Sequence, residues 1–272
     1  MRFAIGIDYD GSQYRGWQTQ QQGVASVQQT LETALSQIAN HPVQVHAAGR
    51  TDAGVHASGM IAHFDTEAIR GHKSWLLGTN TLLPFDIALR WLQPVSDDFH
   101  ARFKAVARRY RYVIFNSPQR SSQLAGKVTW HYHPLNIERM KIAAQYLVGT
   151  HNFHSFRAVG CQARNPVRHV HFLNLSQVGS LIIVDIQADG FLHHMVRNIV
   201  GVLLAIGQGK AEPEWVQTIL AAQDRTQGGI TASGSGLYFV DALYPPEFSL
   251  PKEPIGPLWL PLSNDQNRQM TC

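Results

Sequence analysis

A chain of 272 residues is long enough for one large or two ordinary domains with a real core. At 44% hydrophobic and 15% charged it reads as soluble and globular, and two cysteines (Cys161 and Cys272) exclude a disulfide framework or a cysteine-rich metal site and fit a reducing cytoplasm. A net charge of +4 hides a strong asymmetry that excludes an evenly mixed surface: from Phe99 to Val184 twelve Lys or Arg residues meet one carboxylate, Glu138, giving +11, and the remainder carries −7.

The amino terminus has no apolar run of signal-peptide length, and the most apolar stretch, Ile199 to Ile206, is too short to span a membrane. Arg2 to Tyr9 alternates, with Phe3, Ile5 and Ile7 on one side, and predicts a strand. Asp10-Gly11-Ser12 turns it, and a polar loop runs through Gly16, Trp17 and the glutamines to Gly23. Ser26 and Gln29 form a capping box, and Val27, Leu31, Ala34, Leu35 and Ile38 share one helical face before Pro42. A short strand to Ala48, the loop Gly49 to Ala57, and a strand from Gly59 to Asp65 follow. A helix from His72 to about Leu83 and a strand from Ile87 to Leu92 complete a first half, residues 1–104.

The Gly49 to Ala57 loop holds one carboxylate, Asp52, with a permanent cation at Arg50 and glycines on either side. Glycines let a backbone turn tightly and approach a ligand closely. A guanidinium beside a carboxylate favours its ionised form, so the loop is expected to present a nucleophile or base at a strand end. A surface turn with a local Asp–Arg pair fits the same residues equally well.

The second half, 105–272, begins with Ala107 to Phe115, a strand with Tyr110, Tyr112 and Ile114 on one face. A helix from about Ile137 to Val148, antiparallel strands Val167 to Leu175 and Leu181 to Ala188, a further helix and a last strand Gly236 to Leu243 repeat the first half's logic. The fold expected is α+β: two similar α/β halves sharing a mixed, largely antiparallel central sheet flanked by helices. The helix from about His194 to Gly207 is apolar almost all round and therefore buried, yet it contains Arg197 and Asn198. A buried guanidinium needs a carboxylate; Asp52 is one candidate, and Asp185 or Asp189 would serve as well. The proline-rich tail after Tyr244 is expected to wrap the surface without regular structure.

The basic half is the footprint of a polyanion, most simply nucleic acid. Arginines interleaved with Tyr110 suit a base stacked on a ring while cations hold its phosphates, although a core tyrosine fits the spacing too. Fourteen histidines raise the question of a metal, and His46, His56 and His63 lie near Asp52 in sequence. No familiar ligand spacing occurs, and adjacent His193 and His194 are expected to point to different helix faces. Nucleotide phosphate loops are missing as well, so neither metal nor cofactor is expected. Chemistry on a carboxylate without an energy source is met by isomerisation of a nucleic-acid base. A non-catalytic RNA-binding module or a metal-dependent nuclease are the alternatives.

Gly49-Arg50-Thr51-Asp52-Ala53-Gly54-Val55-His56 resembles the catalytic motif of the tRNA pseudouridine synthase A family. So do Tyr9-Asp10-Gly11 with Gly16-Trp17-Gln18, Asp98 to Phe103, Arg108 to Tyr112, Ser155-Phe156-Arg157 and Phe191 to Gly201. The likeness runs to Gly236-Leu237-Tyr238 and leaves only the tail beyond about Asn264 unmatched. It implies the pseudouridine synthase fold and conversion of uridine to pseudouridine at positions 38, 39 and 40 of the tRNA anticodon stem-loop, by a cytoplasmic homodimer. In that scheme Asp52 is the nucleophile, attacking the anomeric carbon or carbon 6 of uracil, and Arg50 and Arg197 keep it ionised. Arg50 also fills the space of the flipped uridine. Tyr110 stacks on the uracil and helps remove the carbon 5 proton, while Leu237 walls the pocket. Arg70, Arg102, Arg108, Arg164 and Arg168, with Phe99 and His100, are the expected RNA contacts, and Ser155 to Arg168 reads as a flap on the RNA.

Overall fold

The computed structural model describes residues 1–21 and 23–260. Expectations for the end of the tail, Cys272 included, lie outside the described residues. Ten strands form one sheet: β1 (Arg2–Tyr9), β2 (Val45–Ala47), β3 (His56–Asp65), β4 (Ile87–Val95), β5 (Ala107–Asn116), β6 (Thr129–His131), β7 (Gly149–Asn152), β8 (Val167–Val178), β9 (Leu181–Ala188) and β10 (Leu237–Leu243). Their order is β4-β1-β3-β10-β5-β9-β8-β7, with β2 beside β3 and β6 beside β5. Pairing is antiparallel except between β10 and β3 and between β5 and β6. The sheet is thus mixed and largely antiparallel. The last strand sits at its centre, between β3 and β5, so each half carries a strand against β10.

Helices α1 (Val27–Ala39), α2 (Thr79–Leu82, entered through a π turn at Ser74–Gly78), α3 (Ile137–Gln145), α4 (Met195–Gly207) and α5 (Trp215–Ala222) complete the architecture. Helix α1 starts as its sequence dictates: Ser26 Oγ accepts from the Gln29 N–H at 3.3 Å, and Val27, Leu31, Ala34 and Leu35 are buried. Helix α4 is buried nearly all round. Ile199, Val202 and Leu203 are fully covered, and burial of each such side chain contributes about 1.5–3 kcal/mol. None of the helices among the described residues is long and apolar enough to cross a membrane.

Three elements escape the sequence pattern. Strands β6 and β7 have three and four residues, too few for an alternation to register, and α5 is a second helix after α4. The loop after β1 is not merely polar: Trp17 is buried and packs its ring 6.0 Å from that of Tyr9, and Tyr14 donates to Asp86 Oδ1 at 2.7 Å. In the tail a short 3-10 turn at Pro246–Phe248 buries Phe248, and Leu260 joins a second small core with Val113, Tyr238 and Val240. That second core lies on the other face of the sheet from the main one, so the tail covers a sheet face rather than bare surface.

Candidate active site

Asp52 lies in the turn between β2 and β3. Val55 N donates back to Asp52 O at 3.2 Å, and Gly54 takes φ +73, a conformation that costs other residues strain. Neighbouring segments hold this turn from below. Trp17 N donates to Thr51 O at 3.0 Å, Gly54 N to Tyr14 O at 3.2 Å, and Tyr9 and Thr51 share a hydroxyl hydrogen bond of 2.8 Å. His56 Nδ1 lies 3.1 Å from both Gly11 N and Asp10 Oδ1 and ties the loop to the end of β1.

Arg197 reaches Asp52 from the first turn of α4. Its Nη1 donates to Asp52 Oδ2 at 2.9 Å, and its Nε donates to Ala232 O at 2.8 Å. The segment carrying Ala232 approaches so closely because Gly201 has no side chain: a Cβ there would stand 1.7 Å from Ile230 O. Of the three partners open to Arg197, the structure selects Asp52. Asp185 is engaged by Arg109 and Arg111, and Asp189 Oδ1 accepts from His169 N. Arg50, by contrast, is exposed and is not among Asp52's partners, so the clamp on the carboxylate comes from α4 rather than from its own loop.

Two histidines complete the surroundings of Asp52. His193 Nε2 lies 3.3 Å from Oδ1, and His194 Nε2 lies 3.4 Å from Oδ2, with the two rings 4.0 Å apart. The expectation that they diverge fails because His194 is not yet helical. It caps α4 in the left-handed region at φ 62, which turns both rings toward the carboxylate. Helical spacing carries no signal for this, because both histidines precede the helix. Asp52, His193 and His194 are also the residues that could hold a metal, since their ligand atoms lie within 4.8 Å of one another. Arg197 at 2.9 Å from Oδ2 makes the trio a poor fit, because a dication would be pressed against a guanidinium.

These groups open onto a cleft of about 1170 Å³. Among the described residues Arg15, Arg50, Arg102, Arg108, Arg168 and Arg197 line it, and Asp52 is its only carboxylate. The basic footprint is therefore assembled from both halves, not from the basic stretch of sequence alone. Tyr110 lines the cleft from β5 with its ring edge-on to Phe191 and Phe239, at centroid distances of 5.0 and 5.1 Å. Burial, reinforced by the charge of Asp52, pushes its phenol above the ordinary tyrosine value, so it stays protonated at neutral pH. Leu237, at the start of β10, is another lining residue.

The remaining expected contacts divide. Arg102, Arg168 and half-buried His100 line the cleft, and exposed Phe103 beside Arg102 adds an aromatic rim that the sequence reading left out. Arg108 lines it too, but its guanidinium is spent on the carbonyls of Ala48, Arg102, Ala105 and Asp189. Arg164 is exposed just beyond the lining stretch Gly160–Ala163. Arg70 is exposed outside the cleft and donates to Ile38 O and Ile69 O. Phe99 is fully buried against Tyr244 and Phe248 and has no surface to offer RNA. Arg109 and Arg111 do not flank Tyr110 in the cleft. Strand alternation sends them to the other face, where Arg109 makes a bidentate pair with Asp185 at 2.7 Å and Arg111 ties down Ile255 O and Gly256 O. The supposed flap is anchored at its start, where Ser155 Oγ donates to Ile219 O at 2.6 Å and Phe156 is buried.

His46 and His100, which line the cleft, pack against buried His63, the three ring centroids lying 4.5 to 5.7 Å apart. Burial is the main reason His63 is pushed down to about 4, aided by the neighbouring imidazoles and Arg2. In that range the unfolded chain binds a proton that the folded one refuses, so stability is full above the unfolded value and falls as pH drops toward 4. Urea unfolding should lose about 2 kcal/mol between pH 6.5 and 4. His63→Gln, whose side-chain oxygen can still accept the Ala101 N–H, should flatten that dependence.

A sequence model described as tRNA pseudouridine synthase matches residues 6–104 and 143–245. Proteins named tRNA pseudouridine synthase A are similar over nearly the whole chain. That of Acinetobacter baumannii (strain AYE) is 56% identical over 96% of this chain and 98% of its own length. That of Acinetobacter baylyi is 54% identical over 97% of each chain, and that of Alcanivorax borkumensis is 53% identical over 96% of this chain and 97% of its own. Among solved structures, the archaeal box H/ACA sRNP Nop10-Cbf5 complex aligns with 74% of this chain and 43% of its own chain at 8% identity, with a TM-score of 0.34 that carries no argument.

Proposed function

The chain belongs to the tRNA pseudouridine synthase family, and from that premise we propose that it isomerises uridine to pseudouridine in the anticodon stem-loop of tRNA, at positions 38, 39 and 40. The observation that carries this reading is the carboxylate of Asp52, clamped by Arg197 inside an arginine-lined cleft beside the Tyr110 ring. A carboxylate opposes polyanion binding, so an RNA-binding module would gain nothing from one at this point. A nuclease would need a metal where Arg197 sits.

A uridine within a stem must leave its stack to reach Asp52. The arginines of the cleft hold the phosphates on either side, and Arg50, exposed at the cleft wall, is placed to take the vacated space. Tyr110 stacks on the flipped uracil, and Leu237 and Phe191 close the pocket so that the detached base turns without escaping. Asp52 forms the covalent bond that carries one fragment through that turn. The protein works on tRNA in the cytoplasm, as a homodimer.

The test is release of tritium from carbon 5 of uridine in tRNA, with EDTA present. Release that vanishes in Asp52→Asn while tRNA binding persists supports the isomerase. Binding without release by the wild type favours the module, and strand scission blocked by EDTA favours the nuclease. The cleft's cations have their own readout. Arg102→Ala or Arg168→Ala should weaken tRNA binding and reduce the slope of log affinity against log salt by about 0.7–0.9 each. Arg70→Ala, outside the cleft, should leave that slope unchanged; an equal change would move the interface elsewhere.

A further inference from the structure

The cleft is lined by more than cations and one carboxylate, because the first half of the chain also brings it the amides of Gln18, Gln28 and Gln44. One of these is locked in orientation. Gln28 is buried, its Nε2 donates to Val45 O at 3.2 Å and to Glu32 Oε1 at 2.9 Å, and its Oε1 accepts from Thr19 N at 3.1 Å. A carbonyl can only accept and a backbone N–H can only donate, so the Gln28 amide has a single orientation. Glu32 Oε1 is held in turn by Val45 N, which donates to it at 2.9 Å. Gln18 Nε2 donates to the same Gln28 Oε1 at 3.0 Å. Turning the Gln18 amide over would set two acceptor oxygens against each other, so Oε1 is the atom Gln18 has left to offer. That oxygen has no partner among the described residues and is open to solvent.

We propose that this oxygen tests the bound strand for ribose: Gln18 Oε1 accepts a hydrogen bond from the 2′-hydroxyl of the nucleotide at Asp52 or of a neighbour in the strand. This rests on RNA occupying the cleft, as read above, and not on the isomerisation step. Trp17 N donates to Thr51 O at 3.0 Å, so the next residue, Gln18, enters the cleft beside the Asp52 turn. The other end of that turn faces Tyr110, whose hydroxyl lies 3.7 Å from where a Cβ on Gly49 would stand. The uracil stacked on Tyr110 therefore sits at one end of the turn and Gln18 at the other, where the sugar and the strand continue. Chemistry selects the donor. The phosphate and ring oxygens of the strand only accept, so the one backbone group that can meet a fixed acceptor is the 2′-hydroxyl. DNA lacks that group, and arginines alone would hold either polymer.

The test is equilibrium binding of tRNA carrying a single 2′-deoxynucleotide at the target uridine or at either neighbour. With wild-type protein one of these substitutions should weaken binding about fivefold. Gln18→Met should bind all-ribose tRNA about fivefold more weakly and lose nothing further from that same deoxynucleotide, with the thermal midpoint little changed. Gln28→Met leaves Gln18 in place but frees its amide to turn, and should lose part of the same discrimination. A Gln18→Met protein that keeps the full deoxy penalty overturns the proposal, as does a wild type indifferent to all three substitutions. Full discrimination in Gln28→Met would show that the buried amide does not set Gln18, and the fixed acceptor falls with it. A wild type that discriminates in this way yet releases no tritium from carbon 5 would remove the isomerase reading and leave the ribose contact standing.

Discussion

Asp52→Asn should abolish pseudouridine formation, leaving turnover at least about 1,000-fold below wild type, as expected when the group that forms the covalent bond is lost. The amide keeps the shape of the side chain and can still accept from Arg197 Nη1, so the turn and the thermal midpoint should change little. Affinity for tRNA should stay equal or rise slightly, because the substitution removes the only carboxylate that the described residues contribute to an arginine-lined cleft. Gel-shift and tritium-release measurements on the same preparation separate the two effects. An Asp52→Asn protein that binds tRNA and still turns over would remove the carboxylate from the chemistry.

Arg197→Lys should be nearly as severe, with turnover down about 100-fold or more and no rescue by the retained charge. The guanidinium spans two places at once, Ala232 O through Nε and Asp52 Oδ2 through Nη1, and an ammonium on a flexible stem cannot hold both. Arg197→Met should go further. It leaves a part-buried carboxylate with only the two imidazoles beside it, at about 2 kcal/mol of stability, discounted from the full cost of breaking a buried pair because His193 and His194 remain and Asp52 is 21% exposed. Arg50→Ala, at the same distance along the chain from Asp52 as a strong sequence neighbour, should cost no comparable stability, because Arg50 makes no part of this pair. Denaturant midpoints of the three variants decide the matter; equal losses in Arg50→Ala and Arg197→Met would refute the clamp drawn here.

Much of this was legible before any coordinates. The β1, α1, β3, β5, β9 and α4 segments declare themselves by period, because a strand with one buried face must alternate and a helix packed all round must be apolar all round. The turn around Asp52 was marked by its glycines, and the need of Arg197 for a carboxylate followed from the cost of burying an unpaired guanidinium. What misled was adjacency. Arg50 is two residues from Asp52 and not its partner, while Arg197 is 145 residues away and is. Arg109 and Arg111 flank Tyr110 in sequence yet serve Asp185 on the opposite face.

The residue pattern by itself determined the α+β class and the family and singled out Asp52 as the candidate nucleophile, because these depend on local period and on a motif of consecutive residues. Only the tertiary structure decided which cation holds that carboxylate, which arginines share its cleft, that Phe99 is sealed inside, and that His193 and His194 turn toward Asp52. Those outcomes depend on distances between segments far apart in the chain, set by the insertion of β10 between β3 and β5 and by one left-handed residue at the start of α4. Neither leaves a trace in the spacing of hydrophobic residues.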